Sequence, residues 1–143
     1  MLQKMMLIGN LGNDPEMRYM PDGQAVTNFS MAVNRRWTDR ATGEVQEEAT
    51  WFRVSVWGRQ AEPVNQYLSK GRQVYVEGRL RPDPHTGSPR LWTRQDGTVG
   101  ASFEVTAERV QFLGSNEDSN GHGNGSNGYE AVPAGQESDD IPF

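Results

Sequence analysis

The sequence predicts an all-β domain with one short helix, followed by an acidic tail too polar to fold. Three observations carry this. Stretches of the chain alternate apolar and polar residues with the two-residue period of a strand, most clearly Phe52, Val54 and Val56 against Trp51, Arg53, Ser55 and Trp57. Turn-forming residues such as Gly9-Asn10, Asp22-Gly23, Thr42-Gly43 and Asp96-Gly97 punctuate those stretches. The composition then changes abruptly: residues 1–114 hold all 14 basic residues against 13 acidic ones, whereas 115–143 has no Lys or Arg and six carboxylates. The formal charge of −5 therefore misdescribes a folded part that is nearly neutral.

Taken in order, Met5–Gly9 is an apolar strand closed by Gly9-Asn10 and Gly12-Asn13-Asp14-Pro15. Glu16–Met20 is a short strand ended by Pro21-Asp22-Gly23. Ala25–Asn34 alternates, with Phe29, Met31 and Val33 on one face. Arg36–Glu48 is polar and holds the hairpin tip Thr42-Gly43, and Ala49–Trp57 is the next strand. Gln60–Ser69 is the one helix: Ala61, Val64 and Leu68 fall at helical spacing, Pro63 is tolerated in the first turn, and Lys70-Gly71 stops it. Gln73–Leu80 alternates again, with Val74, Val76 and Leu80 inward. Pro82–Pro89 has three prolines and is a loop; Arg90–Arg94, the turn Asp96-Gly97 and Ser102–Leu113 form a last hairpin with Phe103 and Val105 on one face. Four or five substantial strands with one helix after the third fit a five-stranded barrel of oligonucleotide/oligosaccharide-binding type, the OB-fold.

The chain divides into a folded domain at 1–114, a flexible linker at 115–138 and a tip at 139–143. The linker alternates Asn, Gly and Ser and cannot bury a core. The tip, Asp139-Asp140-Ile141-Pro142-Phe143, places an aromatic beside carboxylates where nothing local covers it. Such a tip reads as a ligand: Phe143 for an apolar pocket, Asp139 and Asp140 for basic residues around it.

Other classes fall away on composition. Without cysteine there is neither a disulfide framework nor thiolate metal ligation. His85 and His122 are isolated, there is no Walker-type glycine loop, and Asp139-Asp140 alone lacks an oxygen cage for a cation. Neither a catalytic site, a metal nor a cofactor is expected. No stretch has the length of a membrane span, and Met5–Ile8 is too short for a signal-peptide core, so a cytoplasmic protein is the expectation.

The chemistry lies on the outward face of Ala49–Trp57. A strand that packs Phe52, Val54 and Val56 inward has no structural need for indoles on its other side. Trp51 and Trp57 flank Arg53; Trp37 follows Arg35-Arg36; Trp92 lies between Arg90 and Arg94. Every tryptophan is within two residues of an arginine. Aromatic faces interleaved with cations suit single-stranded nucleic acid, whose bases stack at roughly 1–3 kcal/mol each while arginines meet the phosphates. Burial of these indoles in a subunit interface or under a second sheet is the competing reading.

Several segments resemble the bacterial single-stranded DNA-binding protein family. They are Gly9-Asn10-Leu11-Gly12-Asn13-Asp14-Pro15-Glu16 with Arg18-Tyr19, Ala41-Thr42-Gly43-Glu44, Trp57-Gly58-Arg59-Gln60-Ala61-Glu62, Tyr67-Leu68 with Lys70-Gly71, and Val74 to Leu80. The tip resembles that family's partner-binding terminus. The resemblance implies an OB-fold homotetramer, cytoplasmic and nucleoid-associated. It implies binding of single-stranded DNA without strong sequence preference, and recruitment of replication, recombination and repair proteins through Asp139–Phe143. It puts Trp37, Trp51 and Trp57 at base-stacking positions, the third often phenylalanine in the family, and Arg53, Arg59 and Lys70 along the DNA path. Trp92 matches a stacking tryptophan in the last hairpin, although Pro82–Arg90 is longer here than in familiar members. Arg35 and Arg36 join the set on local chemistry. An accessory factor of primosome type or an RNA-binding relative would carry similar stacking chemistry; the accessory type generally lacks the acidic tip. Tyr75 and Gln73 are candidate interface residues on the outward face of their strand.

Overall fold

In a computed structural model, residues 1–114 are described. The linker at 115–138 and the tip at 139–143 lie outside the described residues. Seven strands form: β1 (Met5–Leu11), β2 (Glu16–Tyr19), β3 (Ala25–Thr38), β4 (Val45–Trp57), β5 (Gln73–Leu80), β6 (Arg90–Thr93) and β7 (Val99–Leu113). One helix, α1 (Ala61–Tyr67), follows a 3-10 turn at Gly58–Gln60. The order β1-β5-β7-β4-β3 closes on itself because β1 also pairs with β3, giving a five-stranded barrel; β2 extends it beside β3 and β6 beside β7. All pairings are antiparallel except β4 with β7, which sets Phe52 beside Phe103 and Val54 beside Val105. This is the OB-type barrel that the alternation implied.

Alternation fills the barrel as expected. Phe29, Met31, Val54, Val56, Val74, Val76 and Val105 are almost fully buried, and α1 plugs one end with Ala61 and Val64. The buried Thr27 hydroxyl donates to the Ala61 carbonyl at 2.7 Å, so the polar group under the helix is satisfied. Closure of the barrel depends on Gly9, where a Cβ would lie 2.2 Å from the Ala32 carbonyl oxygen.

Four details differ from the sequence reading. β3 and β4 run on to Thr38 and Val45, so Arg36–Glu48 is mostly a two-stranded arm with its turn at Asp39–Glu44. The arm lacks apolar alternation because it leaves the core; opposite charges face each other instead, Arg35 with Glu48 and Arg36 with Glu47. The helix is shorter than Gln60–Ser69, because Leu68 turns extended and the Lys70 N–H donates to the Asp14 carboxylate at 2.8 Å; Leu68 is buried all the same. The register shift at Glu77/Gly78 leaves Glu108 of β7 as the extra residue, so β5 keeps its phase through the buried Gly78; Leu80, expected inward, lies past the last β1 pair at Gly78 and is 37% exposed. Phe103, expected to share the buried face of Val105, is 48% exposed and tilts against Phe52 with ring centroids 5.9 Å apart.

Candidate nucleic-acid interface

The unbroken β3–β4 register lays outward side chains in rows across the sheet. One row is Arg18, the covered Val26 and Trp57; the next is Glu16, Asn28 and Ser55; then come Ser30, Arg53 and Glu104, and then Ala32 and Trp51. The first three rows floor a groove of about 500 Å³ lined by Arg53 and Trp57 together with Arg18, Arg81, Arg90 and Glu104; Trp51 lies outside it. Its guanidinium groups outnumber its carboxylates, Glu16 and Glu104, so an anionic chain is favoured there.

Each exposed indole is seated by a specific local feature. Asn13 accepts from the Ser30 N–H at 2.7 Å and from its hydroxyl, and the Gly12 N–H donates to the Ser30 carbonyl at 2.9 Å. The turn is thereby fixed on β3, and Gly12 comes under Trp51: a Cβ there would lie 2.4 Å from the indole. The Cζ3–Cη2 end of the Trp51 ring is thus held against the turn, and the side chain is 55% exposed. Trp92 lies on its cross-strand partner Gly100 in the same manner, where a Cβ would fall 2.8 Å from the ring. The Arg94 guanidinium carbon is 4.8 Å from the Trp92 ring centroid, and that of Arg35 is 5.3 Å from Trp37. The β6–β7 turn is held by Asp96, which accepts from the Thr98 hydroxyl at 2.7 Å and its N–H at 2.9 Å; these bonds hold the Asp96 carboxyl below its usual range.

Trp51, Arg53 and Trp57 share one face of the hairpin, the two indoles about 20 Å apart along the strand. Arg36 has the same parity as the Trp51 row, whereas Trp37 and Arg35 fall on the opposite face of the arm. Trp92 stands on the separate β6–β7 hairpin. Arg59 is exposed in the 3-10 turn after Trp57, and Lys70 sits beside Asp14 of the Gly12 turn; neither lines the groove. Sequence reasoning missed Arg18 and Arg81. Arg18 was readable from its place on a short alternating edge strand, but Arg81 lies just past the end of β5, where no strand pattern places it. Arg90 was noticed only as a neighbour of Trp92.

A second surface lies on β1 and β5. Met6 and Ile8 are 69% and 54% exposed, and Ile8 pairs with Tyr75 and Met6 with Glu77. Glu77 accepts from the Tyr75 hydroxyl at 2.6 Å and pairs with the Lys4 ammonium at 2.8 Å. The hydrogen bond from Lys4, then that from Tyr75, hold the Glu77 carboxyl below its ordinary range, and the bond to Glu77 raises both Lys4 and Tyr75. Gln73, the other interface candidate, is exposed at the start of β5. Among the described residues no helix is long and apolar enough to cross a membrane, and no group of three His, Asp or Glu could hold a metal ion.

Comparison with known proteins follows the same outline. A protein of Xylella fastidiosa described as single-stranded DNA-binding protein 1 is 42% identical over 136 residues, covering 95% of this chain and 94% of that one. A Plasmodium falciparum SSB solved in complex with ssDNA superposes with a TM-score of 0.65 at 31% identity, over 80% of this chain and 97% of that one. A deletion mutant of the Thermus aquaticus single-stranded DNA binding protein gives 0.60 at 33% identity, over 80% of this chain and 52% of that one. The profile of the single-strand binding protein family, whose members bind rather than catalyse, matches residues 2–113, and the chain belongs to that family.

Proposed function

We propose that this chain binds single-stranded DNA without strong sequence preference, protects it, and brings replication, recombination and repair proteins to it. The observation that carries the reading is Trp51, whose ring end is held against Gly12 while the side chain stays 55% exposed on the sheet face that also carries Arg53 and Trp57. An indole fixed in place yet half exposed is a stacking surface, and the groove cations on the same sheet face suit a phosphodiester chain. Bases stack on Trp37, Trp51, Trp57 and Trp92. Phosphates are met by Arg53, Arg18, Arg81 and Arg90 in the groove, and by Arg35, Arg36, Arg59 and Lys70 where the strand leaves it. Because Trp37 lies on the other face of the arm from Trp51, the strand passes over the arm's edge rather than along one flat sheet.

Residues 1–114 are the binding domain, 115–138 the linker, and Asp139, Asp140, Ile141, Pro142 and Phe143 the ligand for partner proteins. The protein acts in the cytoplasm, on the nucleoid, as a homotetramer; the exposed Met6 and Ile8 beside Tyr75 support subunit contact through β1 and β5. Titrating the intrinsic tryptophan fluorescence with poly(dT) while measuring the mass of the complex tests the whole reading. Quenching that saturates on a tetramer is expected; unchanged emission on a monomer would contradict it. Equal competition by RNA oligomers of the same length would assign the groove to nucleic acid in general.

A further inference from the structure

Of the two groove carboxylates, Glu16 is exposed on the edge strand β2, whereas the Glu104 side chain is only 11% exposed. Three arginines flank Glu104. Arg53 stands beside it in the parallel β4–β7 register. Arg81 lies on its other flank, where the Arg81 N–H donates to the Glu104 carbonyl at 2.8 Å. Arg90 pairs with Ser102, two residues back on the same face of β7, and its guanidinium comes within 3.9 Å of the Glu104 carboxylate. All four residues line the groove.

A carboxylate in a groove for phosphates opposes the strand, and a carboxylate withdrawn from water is costly unless cations stand by it. The arginines meet that need. They gain in turn, because guanidinium groups crowded into one groove repel each other and a negative charge among them offsets the repulsion while the groove is empty. The pair with Arg90 is loose. At 3.9 Å it is an ion pair without a direct hydrogen bond, and the Arg90 side chain is 58% exposed, so its guanidinium can turn to another anion at little cost.

We propose that Glu104 is an internal counter-ion for the strand: it holds Arg90 at the empty groove and yields it to a phosphate when single-stranded DNA binds. Binding at this point exchanges one ion pair for another, which limits affinity and keeps the strand releasable. The exchange has a signature in salt. A phosphate met by an uncommitted arginine contributes roughly 0.7 to the slope of log affinity against log salt. Where Arg90 leaves Glu104, the carboxylate draws a cation from solution, which offsets the one the phosphate sheds, and the contact drops out of the slope. The inference rests on the proposed single-strand binding, and the test separates the two.

The full-length protein is titrated with a dT oligomer from low to high salt. Glu104→Gln keeps the shape of the side chain and removes its charge. It should bind about tenfold tighter at low salt, mostly through slower dissociation. Its slope should be steeper by roughly 0.7, so the advantage shrinks about fivefold for each tenfold rise in salt. Glu104→Asp keeps the charge and should keep the wild-type slope. Glu16→Gln should gain much less, since solvent already screens that charge. Arg90→Gln should barely change the slope in the wild-type background, yet lower it by roughly 0.7 in the Glu104→Gln background. Should Glu104→Gln melt early, Arg90→Gln against Arg53→Gln in the wild-type background decides alone, because Arg53 should lose the full 0.7 or so and Arg90 little. An unchanged slope in a stably folded Glu104→Gln overturns the exchange. An equal gain from Glu16→Gln overturns it too, leaving only the total charge of the groove at work. Failure of the wild type to bind the dT oligomer overturns the proposed function instead.

Discussion

Gly12→Ala probes the seat of Trp51 without altering any group expected to meet DNA. A Cβ at residue 12 would stand 2.4 Å from the indole, whereas ordinary contact begins at 3.4 Å, so the ring must move by about 1 Å or the turn must lift. The Ser30 hydroxyl oxygen, 2.9 Å from the same point, limits escape on that side. Residue 12 carries no positive φ, so alanine is not strained there, and the loss of glycine's unfolded-state entropy offsets part of any clash. The clash falls on the far end of a half-exposed side chain, so the fold should keep its stability to within about 1 kcal/mol. A stack is worth roughly 1–3 kcal/mol, and displacing the indole should forfeit much of one, weakening single-strand affinity about five- to thirtyfold. Gly9→Ala is the contrast: its Cβ meets the Ala32 backbone, which cannot yield, so stability should fall by roughly 1–3 kcal/mol or more. Fluorescence titration with dT oligomers and thermal melting would be run on Gly12→Ala, Trp51→Ala and the double variant. In the double variant the glycine change should add little, since the ring it displaces is gone. Wild-type affinity in Gly12→Ala alongside a clear loss in Trp51→Ala would refute the idea that the glycine seat orients the stack.

Three further outcomes are expected. Arg53→Gln should lower the slope of log affinity against log salt by roughly 0.7, with similar losses on oligomers of different composition; a loss confined to one composition would indicate base reading by Arg53. For Glu77 the folded carboxyl lies below its ordinary 4.5, so its stabilisation is present above pH 4.5 and is lost as pH falls through the lowered value. Tyr75 and Lys4 are raised from 10.0 and 10.5, so their share is present below those values and lost as pH rises through the raised ones; melting curves of wild type and Glu77→Gln should converge at both extremes. Deleting Asp139–Phe143 should leave fold and assembly intact, abolish capture of DNA-processing partners and slightly raise DNA affinity at low salt, where tail and phosphate compete unscreened. Phe143→Ala should reproduce only the partner defect in pull-down or calorimetry, because every charge is kept.

The barrel was readable wherever one face of a strand meets the core. Phe52, Val54 and Val56, like Val74 and Val76, are buried at the alternating positions that mark them, because burial imposes the two-residue period. The arm beyond Asn34 was not readable as strand, since solvent on both faces removes that period and leaves only cross-strand charge pairs. Leu80 and Phe103 were misplaced for a local reason, the end of β1 cover at Gly78 and the tilt of Phe103 against Phe52, which no pattern of residue types announces. The tryptophan–arginine pairing pointed to the outward face of β4, but the glycine seats, Arg18, Arg81 and the groove floor at Glu104 join residues far apart in sequence and required the register. The split of Trp37 from Trp51 onto opposite faces of the arm follows from counting parity across a turn whose strand ends the sequence did not reveal.

Photocrosslinking a dT oligomer that carries single 5-iodouracil substitutions, with the attachment sites read by mass spectrometry, tests base stacking on these indoles most directly. The account predicts adducts on Trp51 and Trp57, with Trp37 and Trp92 reached from other positions on the same oligomer. Adducts confined to Tyr75 and the β1–β5 face, with the four indoles untouched, would contradict it.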